Sequence, residues 1–190
     1  DSDGDTGTGD LKIGIVDDVP TAKSGTKDLS ATGADTNILL TIDLSDSMND
    51  SSGVSKPGGG TYTKLELEKA AISSLLEKYS DNGNISVHVV WFYDSDTNGQ
   101  GGVGSNSGGW MDLKTAETYV NGLHASSNTN YDIAIDKAED AFANKTGYIT
   151  GAQNVSYFFS DGEPNQNTDG KDGISGQQLT DWVNFLQTNH

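Results

Sequence analysis

Hydrophobic and polar positions along the chain fall into two regimes that meet near residue 36. Before that point apolar residues are sparse. The one ordered-looking run, Leu11-Lys12-Ile13-Gly14-Ile15-Val16, alternates with the period of two expected of a half-buried strand. It leads into Asp17-Asp18-Val19-Pro20, where proline removes a ladder donor and ends pairing. This region, 1–36, reads as the last strand of a preceding module followed by a linker. From Asn37 onward short apolar runs alternate with amphipathic stretches. Ile38 to Ile42, Ile85 to Tyr93 and Val155 to Phe159 are nearly continuous in apolar residues. That pattern suits strands covered on both faces, as in parallel sheets.

Between these runs the period changes to that of a helix. Lys64 to Tyr79 places Leu65, Ile72, Leu75, Leu76 and Tyr79 on one stripe, and Thr63 with Glu66 forms a capping box. A shorter helix is predicted over Leu113–Asn121, ending at Gly122. Tyr131 to Ala143 aligns Tyr131, Ala134, Ile135, Ala138 and Phe142. Gln178 to Gln187 aligns Leu179, Trp182, Val183 and Leu186 behind a capping signal at Ser175 and Gln178. Gly108-Gly109-Trp110-Met111 fits a short edge strand. The order strand–helix–strand–helix–helix–strand–helix predicts an α/β fold: a doubly wound, mainly parallel open sheet flanked by helices over 37–190.

Charge narrows the partners. Lys+Arg 11 against Asp+Glu 28 leaves a net charge of −17, which repels nucleic acid and anionic membranes and attracts divalent cations. No apolar run approaches the roughly 18 residues of a membrane-spanning helix, so no membrane insertion is expected. With no cysteine, disulfides and thiolate metal sites are excluded. Bound calcium is then one candidate source of stability. The start, Asp1-Ser2-Asp3-Gly4-Asp5, has no basic-then-apolar leader and reads as a cut inside a larger protein.

In open α/β sheets ligands bind beyond the carboxyl ends of the strands. Three segments remote in sequence bring hard oxygens to that edge: Asp43-Leu44-Ser45-Asp46-Ser47, Asn128-Thr129-Asn130-Tyr131-Asp132 and Ser160-Asp161-Gly162-Glu163. Such donors are what Mg²⁺ prefers and what Ca²⁺ accepts with looser geometry. Singly, each residue also fits a plainer role. Asp43 and Asp161 suit helix caps or turns, Ser45 and Ser47 are common turn formers, and Thr129 can cap the helix that follows. Asp132 fits a first-turn acid favoured by the helix dipole, or a residue supporting the site from behind.

Asp43, Ser45 and Ser47 match the Asp-x-Ser-x-Ser motif of the metal-ion-dependent adhesion site in von Willebrand factor type A domains. Thr129 and Asp161 stand where that family places its remaining threonine and aspartate, and the resemblance covers roughly Asn37 to His190. It implies that Ser45, Ser47 and Thr129 touch one Mg²⁺ or Ca²⁺ through hydroxyls, while Asp43 and Asp161 hold it largely through water. An ion so coordinated keeps much of its charge, and the family uses an open position to capture a carboxylate supplied by a protein or surface ligand. The family continues with one or two more strands and a final helix. The sequence here stops at His190, so the resemblance implies a domain lacking its C-terminal strands, with the Val155–Phe159 strand left at an edge that a second chain or segment completes.

Other acidic segments have calcium-loop texture and suggest further Ca²⁺: Asp1, Asp3 and Asp5, with Asp17 and Asp18 able to join them; Asp94, Asp96 and Asn98; and Asn165, Asn167 and Asp169. The last two match the first half of an EF-hand loop but carry Ser105 and Gly176 at the twelfth position, so neither is an EF-hand. Leu11 to Pro20 resembles the closing strand of repeats in large bacterial RTX adhesins, which leave the cell by type I secretion. That resemblance implies an extracellular, biofilm-associated place on the bacterial cell surface. No Gly-x-Ser-x-Gly elbow, His-Glu-x-x-His or P-loop is present, so an enzyme is not expected. His88 reads as a core or face residue of its strand. The alternatives to adhesion are a calcium-stiffened spacer within a large adhesin and, third, a metal-dependent hydrolase.

Overall fold

The apolar run that follows Asp35 forms the centre of the molecule. In this computed structural model, which describes residues 33–93, 102–126, 128–162, 174 and 176–189, strand β1 spans Thr36–Asp43 and all eight of its residues are buried. It is flanked by parallel neighbours on both sides: β4 (Ile85–Phe92) pairs with it from Thr36↔Ile85 to Asp43↔Phe92, and β6 (Gln153–Phe159) from Thr36↔Gln153 to Ile42↔Phe159. A short strand, β5 (Val103–Ser105), runs antiparallel on the outer side of β4, giving the order β5-β4-β1-β6. A separate hairpin, β2 (Ser51–Ser55) with β3 (Thr61–Thr63), projects between β1 and the first helix.

Alternation along β1 and β4 sends side chains to two cores. On one face Ile38, Leu40, Ile42, Val87 and Val89 meet Leu65, Ile72 and Leu76 of α1 (Lys64–Ser80) and Ala116 and Val120 of α2 (Leu113–Asn121). On the other, Leu39 and Val90 meet Trp110 and the Ala138, Ala141 and Phe142 side chains of α3 (Tyr131–Ala143), with Trp182 and Phe185 of α4 (Gly176–Thr188) packed behind. The mixed α/β class, the mostly parallel sheet and the helix order agree with the sequence reading. Each fully buried aliphatic side chain in these layers contributes about 1.5–3 kcal/mol. The capping box at α1 forms as its sequence requires: the Thr63 hydroxyl accepts from Glu66 N–H at 3.1 Å, and the Glu66 carboxylate accepts from Thr63 N–H at 2.8 Å.

Two expectations need correction, and one element was not foreseen. The edge strand lies at Val103–Ser105 rather than at 108–111, where only Met111 makes a bridge, to Val87. Its glycines obscure the strand pattern, and pairing to β4 decides it. The predicted stripe of α4 is rotated: Trp182 and Phe185 face the core, while Leu179 and Val183 are 48% and 43% exposed. Among the described residues β6 is the sheet edge, so nothing lies beyond it for that side of α4 to cover. The hairpin β2–β3 had no apolar alternation to announce it. The predicted strand at 11–16 and the cap at Ser175 lie outside the described residues.

Among the described residues no helix is long and apolar enough to cross a membrane.

Candidate metal centre

Because β4 and β6 pair with opposite sides of β1, the chain reverses direction of build at β1, and a crevice opens at the carboxyl ends of these strands. Asp43 is the last residue of β1 and is wholly buried. Its Oδ1 accepts the Ser45 N–H at 2.8 Å and its Oδ2 accepts the Ser160 hydroxyl at 2.6 Å. Burial raises the pKa of this carboxyl, with Asp161 adding to the rise, and the Ser160 and Ser45 hydrogen bonds oppose it.

Directly after β1 the chain enters a single 3-10 turn, Asp46–Asn49, with Ser45 at its N-cap and Met48 buried beneath. The turn brings the Ser45 and Ser47 hydroxyl oxygens to 3.1 Å from each other. Ser47 Oγ then donates to Asp161 Oδ1 at 2.9 Å, joining positions 114 residues apart. The second Asp161 oxygen, Oδ2, accepts from Lys64 Nζ at 2.6 Å, where Lys64 opens α1. Four of the five predicted site residues, Asp43, Ser45, Ser47 and Asp161, therefore form one hydrogen-bonded group, to which Ser160 is joined at Asp43. Thr129, the fifth, is buried just before α3, and Asn130 rather than Thr129 is the cap of that helix. Tyr131, the first residue of α3, bonds to Ser160 Oγ at 2.7 Å and to the Gly162 carbonyl, tying this segment to the same edge. Asp132 is a buried first-turn acid of α3, as expected.

Lys64, Glu68 and Tyr131 are residues of this site that sequence reasoning did not assign. Glu68 lies one turn beyond Lys64 and lines, with Lys64, Met48, Ser160 and Asp161, a crevice of about 420 Å³. Its Oε1 is buried with no hydrogen-bond partner among the described residues. Burial first, then the charges of Asp43 and Asp161, push its pKa up to about 8. The signal was present: Glu68 interrupts the apolar stripe between Leu65 and Ile72, where a charge has no reason to stand unless something else holds it there.

Does this donor set fit a hard cation? Oxygens at about 2.1 Å from an octahedral Mg²⁺ are about 3.0 Å apart along each edge. The Ser45 and Ser47 hydroxyl oxygens, 3.1 Å apart, match that edge. Burial first, with the neighbouring carboxylates adding to it, raises the pKa of Asp43 and of Glu68, and the Glu68 Oε1 has no hydrogen-bond partner among the described residues. Donor chemistry and spacing both suit Mg²⁺ or Ca²⁺. Among the described residues no three acidic or histidine side chains converge on one point, so the group differs from an all-carboxylate calcium cage. The further calcium loops at Asp1, Asp3, Asp5, Asp17 and Asp18, at Asp94, Asp96 and Asn98, and at Asn165, Asn167 and Asp169 lie outside the described residues.

No family model matches the sequence, and no curated protein matches it. Similar solved structures do exist. Part of the pilus adhesin SpaC from Lactobacillus rhamnosus GG superposes on 69% of this chain and 16% of its own, at 16% identity and a TM-score of 0.51. A variant of the PilB minor pilin from Streptococcus sanguinis covers 68% of this chain and 30% of its own, at 17% identity and a TM-score of 0.48. An uncharacterized membrane spanning protein from Vibrio fischeri covers 57% and 50%, at 16% identity and a TM-score of 0.46. The chain spans half or less of each of these proteins. At such identities the likeness concerns the fold alone.

Proposed function

We propose that this chain is an adhesion module of the von Willebrand factor type A kind, which binds a carboxylate of a protein or surface ligand through one divalent cation. The observation that carries the reading is the convergence of Asp43, Ser45, Ser47 and Asp161 into one bonded group at the carboxyl edge of the sheet. Ser45, Ser47 and Thr129 would hold Mg²⁺ or Ca²⁺ by their hydroxyls, with Asp43 and Asp161 behind them. When bound, the ion supplies an electrophilic position for an external carboxylate. Neutral hydroxyls in the inner shell leave that charge largely unspent, which is why a site of this composition favours ligand capture over mere stiffening of the chain. Asp43 is fixed from both oxygens by Ser45 and Ser160, so the cleft is preorganised and little ordering cost falls on binding.

The fold shared with part of a pilus adhesin supports a role in adhesion, and with it a place at the bacterial cell surface. This reading has no catalytic step. An array of aspartate- and glutamate-bearing peptides, probed with Mg²⁺, with Ca²⁺ and with chelator, tests it. Binding is expected only with cation, and only to carboxylate-bearing members. Asp43→Ala should abolish capture while leaving the far-ultraviolet dichroism unchanged. Capture that persists in chelator removes the metal from the account, and stoichiometric cation uptake without any capture favours the spacer reading instead.

A further inference from the structure

Lysine is a poor residue with which to open a helix, because the unpaired N–H groups and the dipole of the first turn favour negative charge. Lys64 is nonetheless the first residue of the 17-residue α1. What holds it there is Asp161: Lys64 Nζ donates to Asp161 Oδ2 at 2.6 Å. The other oxygen of that carboxylate accepts the Ser47 hydroxyl at 2.9 Å. One carboxylate therefore serves a positive charge of the chain and, through Ser47, the pair of hydroxyls assigned to the divalent ion. The Asp161 side chain is 11% exposed and that of Lys64 35%, so the aspartate is confined while the ammonium stands on the open side.

Asp50 offers the ammonium a second seat. Its Oδ2 lies 3.9 Å from Lys64 Nζ, and its side chain is 71% exposed. Asp50 follows directly on the 3-10 turn of Asp46–Asn49 that carries Ser47. Its N–H donates to the Ser47 carbonyl at 3.0 Å, and its carbonyl accepts the Lys64 N–H at 3.0 Å. These bonds fix the backbone of Lys64 against the turn, so rotation within the flexible stem of the side chain is enough to carry the ammonium from one carboxylate to the other. Like charges decide which seat is taken. A divalent ion held by Ser45, Ser47 and Asp161 repels the ammonium across a short, partly buried gap where screening is weak. A part-exposed ion pair contributes little by itself, so the ammonium moves and the ion stays. A sodium or potassium ion brings a single charge, no more than the ammonium already supplies.

We propose that Lys64 is an internal competitor at the cation site: its ammonium neutralises Asp161 until a divalent ion displaces it to Asp50. The exchange sets how much ion the site needs and rejects monovalent ions, and it rests on the cation-binding reading given above. The test is calorimetric titration of Mg²⁺, at fixed ionic strength, into the parent, Lys64→Met, Asp50→Asn and the double variant. The Lys64 side-chain carbon and nitrogen resonances are followed alongside by NMR in the parent. Lys64→Met is expected to bind Mg²⁺ about tenfold more tightly than the parent, within the range usual for coupled sites. Asp50→Asn should weaken binding more in the parent than in the Lys64→Met background. The Lys64 resonances should shift on saturation with Mg²⁺ and stay in place with Na⁺ alone. A Lys64→Met variant that binds Mg²⁺ no more tightly than the parent overturns the proposal and leaves the cation site standing, with Lys64 merely holding Asp161 in place. Strictly additive effects of the two substitutions, or Lys64 resonances that bound Mg²⁺ leaves unmoved, overturn it in the same way. Mg²⁺ uptake by neither the parent nor Lys64→Met removes the cation site and the proposal with it. Uptake by Lys64→Met alone supports both.

Discussion

Strands β1 and β6 lie side by side and each delivers an aspartate to the same edge, yet the molecule holds them differently. β1 is paired on both sides and buried along its whole length, and Asp43 at its end is locked through both carboxylate oxygens. β6 pairs on one side only among the described residues, and Phe158 is 39% exposed. Asp161, just past β6, is held by Ser47 and Lys64, from two other segments. The comparison teaches that the site has a rigid half and a half tied on by side chains. Rigidity of the first comes from the core, and alignment of the second comes from the group of hydroxyls itself.

The largest expected effect comes from breaking the rigid half. Leu40→Ala in β1 should cost about 2–5 kcal/mol in chemical denaturation, because a fully buried site collapses poorly around the cavity. Phe158→Ala, partly exposed on β6, should cost markedly less than the about 3–5 kcal/mol of a buried phenylalanine. Equal losses would erase the distinction between the strands.

Next in size is Ser160→Ala, which strips one of the two donors from buried Asp43 and should cost about 1–3 kcal/mol. It should also drive the Asp43 pKa higher, seen as a later-titrating carboxyl carbon resonance. A variant as stable as the parent would mean that Ser160 does not hold the aspartate.

Glu68→Gln sharpens the comparison through pH. The carboxyl titrates near 8 in the folded chain and near 4.5 as a free side chain. Between those values the unfolded chain is ionised and the folded one is not, so the parent loses stability as pH rises through this window. The variant should match the parent below pH 4.5 and exceed it at pH 8 without cation, in melting temperatures recorded across the series. A pH-independent difference would place Glu68 outside the field of Asp43 and Asp161. The smallest effect belongs to Thr63→Ala, about 1 kcal/mol from loss of the α1 cap beside Lys64, measured by the same denaturation.

Much of this was legible in the sequence where one physical rule dominates. Strands covered on both faces are written as unbroken apolar runs, which is why β1 and β4 fall within two residues of their predicted ends. Helix α1 begins at the box of Thr63 with Glu66 and α2 ends at Gly122, both of which the chain spells out. Asp43, Ser45 and Ser47 were legible because spacing after a strand dictates where they stand. What stayed hidden depends on contacts between remote segments. Nothing local in Gly-Gly-Val-Gly-Ser makes β5 a strand, since its pairing to β4 supplies the reason. The facing of α4 depends on what lies beyond β6, which periodicity does not report. Lys64 looked like an ordinary first-turn residue, and only the approach of Asp161 from the far side of the sheet gives it a place in the site.

The central claim is that the oxygens gathered at the ends of β1 and β6 hold one divalent cation. Calorimetric titration of Mg²⁺ and of Ca²⁺ into the parent and into Ser45→Ala/Ser47→Ala addresses it most directly. The account predicts one strong site in the parent that disappears from the double variant while the dichroism spectrum is kept. Unchanged stoichiometry and affinity in the double variant would contradict it.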